Sequence, residues 1–313
     1  MKQKQQLPFS LERIQREFNI SDEAVRGCGF SPEELRTIYE DYVRRYPRLE
    51  QLQREFISRY MLSAEGVHFH SYGGRVKAPD HLIEKIIRKR NNRNRKYAKM
   101  TAEDYYKYIT DLIGCRILLV YKEDWREVHQ YLDRVFLNDP ANYIDGNNRA
   151  ASYKEGDTSG FMAERPCVFI RAGDDERLYR DVPGIRIDRK GYYRSAHYLL
   201  RFHEYYLELQ VRSLFEEAWS EVDHDILYPL YKGNKMLVNF SRLLNRTAGL
   251  GDEMSSYFKE YVFNGSFEKS GSLLDTPGGT ADDHETPPEE DSAVRTMMDM
   301  MMQAGRNHSH RDE

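Results

Sequence analysis

Two carboxylates, Asp111 and Glu208, and three cations, Arg75, Lys77 and Lys85, are of the types that phosphoryl or pyrophosphoryl transfer needs. Carboxylate oxygens hold a hard cation such as Mg2+, lysine and arginine bind phosphates, and an aromatic side chain such as Tyr193 stacks on a base. The spacing gathers these groups. Glu208 and Gln210 lie two residues apart in an apolar run, so a pleated strand aims both at one face and Leu209 and Val211 at the other. Arg75 and Lys77 share a strand face in the same way, with Lys85 on the helix that follows. Tyr193 and His197 precede Glu208 closely enough for an aromatic, an imidazole and a carboxylate to meet in one cleft. Other chemistries are excluded by what is missing: there is no GxxxxGK[ST] loop and no GxGxxG after a strand. His224-Asp225 is a lone pair without further metal-ligand spacing.

The elements that must position these residues follow from periodicity. Up to about Gly66 the chain reads as helical: Ser31-Pro32-Glu33-Glu34 supplies an N-cap, a first-turn proline and first-turn acids, and Leu35, Ile38, Tyr39 and Tyr42 recur at helical spacing. Pro47 is expected to interrupt this helix, with a second one from Leu49 to Leu62. A strand is expected over Val67–Lys77, interrupted at Gly73-Gly74, then a helix from Pro79 burying Leu82, Ile83, Ile86 and Ile87. Cys115–Tyr121 reads as a buried strand and Asp124–Phe136 as an amphipathic helix, which makes an α/β pattern. Asn138–Arg165 is an Asn/Asp/Gly/Ser-rich excursion before a short strand at Cys167–Ile170. Ala196–Val211 reads as a strand pair. Ser213–Leu227 follows as a helix burying Phe215, Ala218, Trp219, Val222 and Ile226. A last helix, Lys235–Phe263, is expected to break near Gly249 and Gly251 and to pack Leu237, Phe240, Leu243, Leu244 and Met254.

With 313 residues of which 40% are hydrophobic, the chain can bury a sizeable core. No apolar run reaches the roughly 18 residues of a membrane span and Met1–Ser10 is polar, so the expected location is the cytoplasm, with no membrane partner. Cys28, Cys115 and Cys167 are far apart and lack CxxC spacing, which argues against disulfides and a structural zinc. From Asn264 onward eleven acids face four bases, a net of −7, so residues 1–263 carry +3 against −4 for the whole chain. That tail is rich in Gly, Ser, Pro and Thr and is expected to be disordered over Gly265–Ser292, with a Met-rich segment at Ala293–Ala304. Within the body, Arg88, Lys89, Arg90, Arg93, Arg95, Lys96 and Lys99 form a basic run suited to an anionic partner.

Four ordered motifs resemble those of the RelA/SpoT-type alarmone synthetase domain: Arg75-Val76-Lys77 with Lys85; Asp111-Leu112-Ile113-Gly114-Cys115-Arg116-Ile117; Tyr193-Arg194-Ser195-Ala196-His197; and Glu208-Leu209-Gln210-Val211-Arg212. The resemblance implies an α/β (α+β) fold, a mixed five-stranded sheet flanked by helices and related to the nucleotidyltransferases. It divides the chain into a helical extension (1–65), a synthetase domain (66–231), a helix packed on it (232–263) and an acidic tail (264–313). It implies an activity in which ATP donates its β,γ-pyrophosphate to the ribose 3′-hydroxyl of GDP or GTP, with Mg2+ as cofactor. Carried over, Arg75, Lys77 and Lys85 bind ATP phosphates, and Asp111 and Glu208 hold the metal, Glu208 also serving to activate the 3′-hydroxyl. Tyr193 stacks on the acceptor base, with His197, Arg189, Gln210 and Arg212 on the acceptor side.

The sequence departs from that family in three places. Gly191 is separated from Tyr193 by Tyr192, where the family has glycine directly before its tyrosine. The excursion before Tyr193 is long, and an acid-His pair appears as Asp223-His224 within a segment most similar to the toxic small alarmone synthetases. That branch adds the 3′ end of tRNA and adenosine nucleotides as alternative acceptors, and an antitoxin or a homo-oligomer partner. No segment resembles the hydrolase domain of the bifunctional members. A nucleotide- or RNA-binding module that has lost the chemistry is the non-enzymatic alternative.

Overall fold

The computed structural model describes residues 7–92, 95–144, 160–171, 174–189, 191–227 and 234–263. Helices α1 (Leu11–Phe18) and α2 (Asp22–Gly27) each start at a serine, Ser10 and Ser21, whose side chain accepts from a first-turn amide. α3 (Pro32–Ile57) starts with a reciprocal capping box: Ser31 Oγ accepts from the Glu34 amide at 3.2 Å, and Glu34 Oε2 accepts from the Ser31 amide at 2.7 Å. The break expected at Pro47 does not occur, and α3 runs through it. A mid-helix proline costs about 3 kcal/mol. Leu49, Leu52 and Phe56 beyond it are fully buried, and each such side chain contributes about 1.5–3 kcal/mol. Burial wins, and the helix closes only in a π-turn at Ser58–Leu62.

The strands are β1 (Ser71–Val76), β2 (Ile113–Leu119), β3 (Phe161–Met162), β4 (Cys167–Phe169), β5 (Arg186–Asp188), β6 (Ser195–Phe202) and β7 (Tyr205–Ser213). β1 starts four residues later than expected and continues through Gly73-Gly74. Gly74 is there for closeness: a Cβ would lie 2.9 Å from the Gly114 carbonyl oxygen on β2. The sheet order is β1-β2-β7-β6-β4-β5, with β3 also on β6. Two contacts are parallel, β2 with β7 and β4 with β5; the rest are antiparallel. The sheet therefore has seven strands instead of five, because β3 and β4 share one edge of β6 and β5 extends it further.

Alternation divides the sheet into two faces. Ile113, Cys115, Ile117 and Leu119 on β2 and Leu207, Leu209 and Val211 on β7 are buried. They join one apolar core with α3, α4 (Pro79–Asn91) and α5 (Trp125–Val135). Leu82, Ile83, Ile86 and Ile87 of α4 point into it as expected, and the three cysteines are free and buried. The opposite face carries Gly114, Arg116, Glu208 and Gln210.

Past the short α6 (Arg177–Arg180), α7 (Leu214–Leu227) and α8 (Lys235–Phe263) pack on one another. Of the expected core of α7 only Trp219 is buried, its indole N–H donating to the Ser241 carbonyl at 3.0 Å; Phe215, Ala218 and Val222 are exposed, and the Ile226 side chain lies outside the described residues. α8 does not break at its glycines. A Cβ on Gly249 would lie 2.6 Å from Arg194 Nη2, and one on Gly251 2.6 Å from the Phe215 ring, so both are packing positions. Of the residues expected to face inward from α8, Phe240, Leu243, Leu244 and Met254 are exposed and Leu237 is half-buried, while Asn245, Ala248 and Asp252 are buried. Polar contacts and small residues, not large apolar side chains of its own, therefore seat this helix.

Among the described residues no helix is long and apolar enough to cross a membrane. Residues 145–159 of the excursion and the tail from 264 lie outside the described residues.

Candidate active site

Strand register brings the polar side chains together. Gly114 stands opposite Glu208 and Arg116 opposite Gln210 across the parallel β2/β7 pair. β1 extends those rows with Arg75 opposite Gly114, and β6 extends them with His197 opposite Gln210. α7 crosses this face with Ser220, Glu221 and His224, enclosing a cleft of about 250 Å³ that also includes Lys77, Asp111, Tyr193 and Arg212. The sequence's two acids, its cations Arg75 and Lys77, and the acceptor-side residues Tyr193, Gln210 and Arg212 thus line one cavity, with His197 bonded to Tyr193 and Glu208 of its wall.

At one end Asp111 precedes β2, and Lys77 Nζ (3.0 Å) and Lys85 Nζ (2.7 Å) both converge on its Oδ2. Burial opposes charge on this carboxylate, but the two lysines outweigh it and hold the group at about 2. Its other oxygen, Oδ1, is buried and has no hydrogen-bond partner among the described residues. An orphaned anionic oxygen beside two ammonium groups is suited to a bound cation or a donor carried by a ligand.

At the other end five side chains close a hydrogen-bonded ring. Arg212 donates to the Tyr193 hydroxyl (2.7 Å), which lies 2.9 Å from His197 Nε2. His197 Nδ1 lies 2.8 Å from Glu208 Oε1, which also accepts from Gln210 Nε2 at 3.0 Å. Gln210 Oε1 in turn accepts from Arg212. These directions fit one tautomer, with Nδ1–H donating to Glu208 and Nε2 accepting from Tyr193. Burial opposes ionisation of Glu208, yet the hydrogen bonds it accepts, first from His197, prevail and lower it. The Tyr193 ring is half-buried, edge-on to Phe169 and His197, with the Arg212 guanidinium 5.4 Å from its centre.

The loop before β6 is held from outside the cleft. Gly191 takes φ +86°, the left-handed conformation that lets the chain turn just ahead of Tyr192. Arg194 is buried and donates to Asp174 (2.5 and 3.2 Å) and to the Asn245 backbone and side-chain oxygens (3.2 and 3.1 Å). Asn245 Nδ2 donates to the Tyr192 carbonyl at 2.9 Å. α8 thereby grips the residue on each side of Tyr193.

Some residues are placed elsewhere than the sequence suggests. Arg189 does not line the cleft; it pairs with Glu176 (Nε to Oε2, 2.8 Å) in a separate depression. Three of the seven cations of the basic run are engaged in structure: Arg88 pairs with Glu84 and Lys96 with Glu164, while Arg90 donates to the carbonyls of Cys28, Tyr97 and Ala98. Positions 93 and 94 lie outside the described residues. His224 lines the cleft, but Asp223 turns away to accept from Ser241. Arg116, Glu217 and Glu221 went unsingled in sequence. Arg116 pairs with both acids (2.6 Å to Glu221), and Arg212 lies 3.1 Å from Glu217. The two-residue step from Gly114 to Arg116, matching Glu208 to Gln210, is the signal that would have found Arg116.

Comparison with solved structures brings up small alarmone synthetase 1 from Bacillus subtilis, at 17% identity and a TM-score of 0.46 over 72% of this chain and 98% of that one. A GTP pyrophosphokinase family protein from Streptococcus pneumoniae is similar at 17% identity and a TM-score of 0.43, over 75% of this chain and 95% of that one. No curated protein sequence matches the chain. The family model described as a region found in RelA / SpoT proteins matches residues 74–233, half of the chain and the whole of the cleft apart from the support given by α8, so the chain belongs to the RelA/SpoT family.

Proposed function

We propose that this chain is a pyrophosphokinase that moves the β,γ-pyrophosphate of ATP to the ribose 3′-hydroxyl of GDP or GTP. The observation that carries this reading is the placement of Asp111 and Glu208 at neighbouring strands, with Lys77 and Lys85 at one end of the cleft and the Tyr193–His197 ring at the other. Lys77 and Lys85 exchange Asp111 for the phosphates of ATP, joined by Arg75 from the same sheet face. Tyr193 stacks on the acceptor base, and Gln210 and Arg212 hold the ring that aims it.

The acceptor 3′-oxygen attacks the β-phosphorus, the bond from that phosphorus to the α-phosphate oxygen breaks, and AMP leaves. Glu208, ionised near neutral pH, accepts the proton of the 3′-hydroxyl, while the His197 Nδ1–H fixes the orientation of the carboxylate. Asp111 and Glu208 offer only oxygen donors, and the unpartnered Asp111 Oδ1 suits Mg2+. Among the described residues no group of three His, Cys, Asp or Glu could hold a metal by itself, so Asp111 and Glu208 would hold Mg2+ only together with ligand oxygens. When bound, that ion neutralises charge on the transferred group. A polynucleotide acceptor draws less support from the basic run than the sequence suggests, since Arg88, Arg90 and Lys96 are engaged within the fold.

Incubation with γ-labelled ATP, Mg2+ and separately GDP, GTP or bulk tRNA tests the reading. Label in GDP or GTP is the expected result. Label only in tRNA replaces the acceptor, and label in none of the three overturns the enzymatic assignment.

A further inference from the structure

The strands that carry the cleft's charged groups meet side by side at one end of the sheet. Val76, the last residue of β1, stands opposite Ile113, the first of β2, and Ile113 stands opposite Leu207 near the start of β7. Lys77, Asp111 and Glu208 each lie within two residues of that row. Whatever holds the row holds the spacing of all three.

A single turn of α3 does so. Positions 41, 42, 45 and 46 are neighbours on one helix face, and each of them bonds to this end of the sheet or to the chain leading into it. Tyr42, fully buried, donates its hydroxyl proton to the Lys77 carbonyl at 2.7 Å, and Tyr46 donates to the Val76 carbonyl at 3.4 Å. Between them Arg45 donates to the hydroxyl of Tyr205, the first residue of β7, at 3.1 Å. Asp41 Oδ2 accepts from Arg45 Nε at 2.6 Å and from the hydroxyl of Tyr105, six residues before Asp111, at 3.0 Å.

Among these bonds the one from Tyr42 bears directly on phosphate binding. The Lys77 amide donates to the Leu112 carbonyl at 2.9 Å, so with its own carbonyl held by Tyr42 the residue is fixed on both sides of its Cα. Only its side chain is then left to move between Asp111 and a phosphate. A carbonyl that loses its donor inside the fold must find another partner or shift, and a shift of the Lys77 backbone carries the ammonium with it. We propose that Tyr42 is a positioning residue for the ATP phosphates, acting through Lys77, and that the α3 turn of residues 41–46 clamps the three charged segments of the cleft at their working spacing. This rests on the ATP-dependent reading given above, and it puts part of the cleft's geometry outside the family-matched residues 74–233.

Tyr42→Phe removes the hydroxyl and keeps the ring, which packs edge-on to Tyr46 and Tyr105. Tyr39→Phe is the matched control, because Tyr39 is buried in the same helix but donates to the Leu7 carbonyl, at 2.8 Å. With labelled ATP and GDP, Tyr42→Phe should raise the KM for ATP about tenfold while the KM for GDP stays within about twofold, and Tyr39→Phe should move neither. Loss of folded protein alone would lower the apparent kcat and leave each KM in place. The dissociation constant of a non-hydrolysable ATP analogue should rise by the same factor as the KM. Amides of residues 75–78 should exchange hydrogen faster in Tyr42→Phe than in Tyr39→Phe. Affinity for ATP and the analogue unchanged by Tyr42→Phe, or altered equally by Tyr39→Phe, overturns the positioning role, and equal exchange in the two variants overturns the clamp. A wild type that binds the analogue but transfers no label sinks the reaction and leaves the positioning role to be decided by the analogue. A wild type that binds no analogue sinks both.

Discussion

His197 Nδ1 lies 2.8 Å from Glu208 Oε1, and the opposite nitrogen of the same ring faces the Tyr193 hydroxyl at 2.9 Å. One imidazole therefore ties the carboxylate proposed to accept the proton to the aromatic proposed to receive the acceptor. The two links can be separated. Asparagine places a donor near Nδ1, and glutamine places a polar group near Nε2. His197→Asn should keep turnover within a few-fold and raise the acceptor KM, whereas His197→Gln should lower kcat by about 100-fold. Steady-state kinetics with each variant checks this split, and an identical loss in both variants would contradict it.

Asp111→Asn should cost both activity and stability. Activity should fall at least about 100-fold, and removal of the charge leaves two partly buried lysines uncompensated, a loss of about 3 kcal/mol. Glu208→Gln should lose activity alone, because a glutamine oxygen still accepts from His197 and Gln210. Because the Asp111 carboxyl is held below its unfolded value, its stabilisation is complete above the ordinary carboxylate range and is lost as pH falls towards about 2. Urea unfolding at pH 7 and pH 3 should show the wild type losing this advantage over Asp111→Asn at the lower pH.

A second pair of acids gives the opposite slope. Glu216, in a capping box with Ser213 (2.8 and 3.1 Å), and buried Asp252 on α8 are both raised, first by burial and, for Glu216, next by the Asp252 charge. Nearby Arg194 offsets this only partly. An acid raised in the folded state binds its proton more tightly there, so its stabilisation is present below the ordinary carboxylate range and declines as pH rises through the folded value. Asp252→Asn should flatten the fall in melting temperature between mildly acidic and neutral pH. A slope unchanged by the substitution would contradict the assignment.

Asn245 should act on the acceptor alone. Asn245→Ala removes its bonds to Arg194 and to the Tyr192 carbonyl, and should raise the acceptor KM about tenfold with little change in the KM for ATP. Hydrogen exchange provides a readout free of the reaction: amides of residues 191–194 should exchange faster. Gly249→Ala should have a similar effect, despite the roughly 1 kcal/mol that alanine gains in a helix, because Asp174 and Asn245 hold the Arg194 guanidinium that the new Cβ would meet.

What was legible in sequence was whatever a strand period or a short motif encodes. Glu208 and Gln210 share a face because residues two apart must, and Lys77 and Lys85 come together because a strand and the helix after it keep their ends close, whereas their meeting with Asp111 depends on sheet order. Pairing across distant segments was not legible: the Arg212–Tyr193 bond and the Arg116 bridge to α7 depend on sheet order and helix placement. Pro47 and Gly249 misled for a common reason. Local propensity predicts a break at each, and the outcome was decided by tertiary contacts worth more than the propensity. In α8 the helical apolar period predicts an inward face where the structure has an outward one, because a period does not say which side the chain covers.

The parallel pairing of β2 with β7 fixes Glu208 opposite Gly114, three residues past Asp111, although the two acids are 97 residues apart in the chain. Their separation is a property of the register, not of the connection. The excursion after β2 can therefore change in length without changing which residues of β2 and β7 face each other. Variation placed there leaves the spacing of the two carboxylates to the strand pair alone.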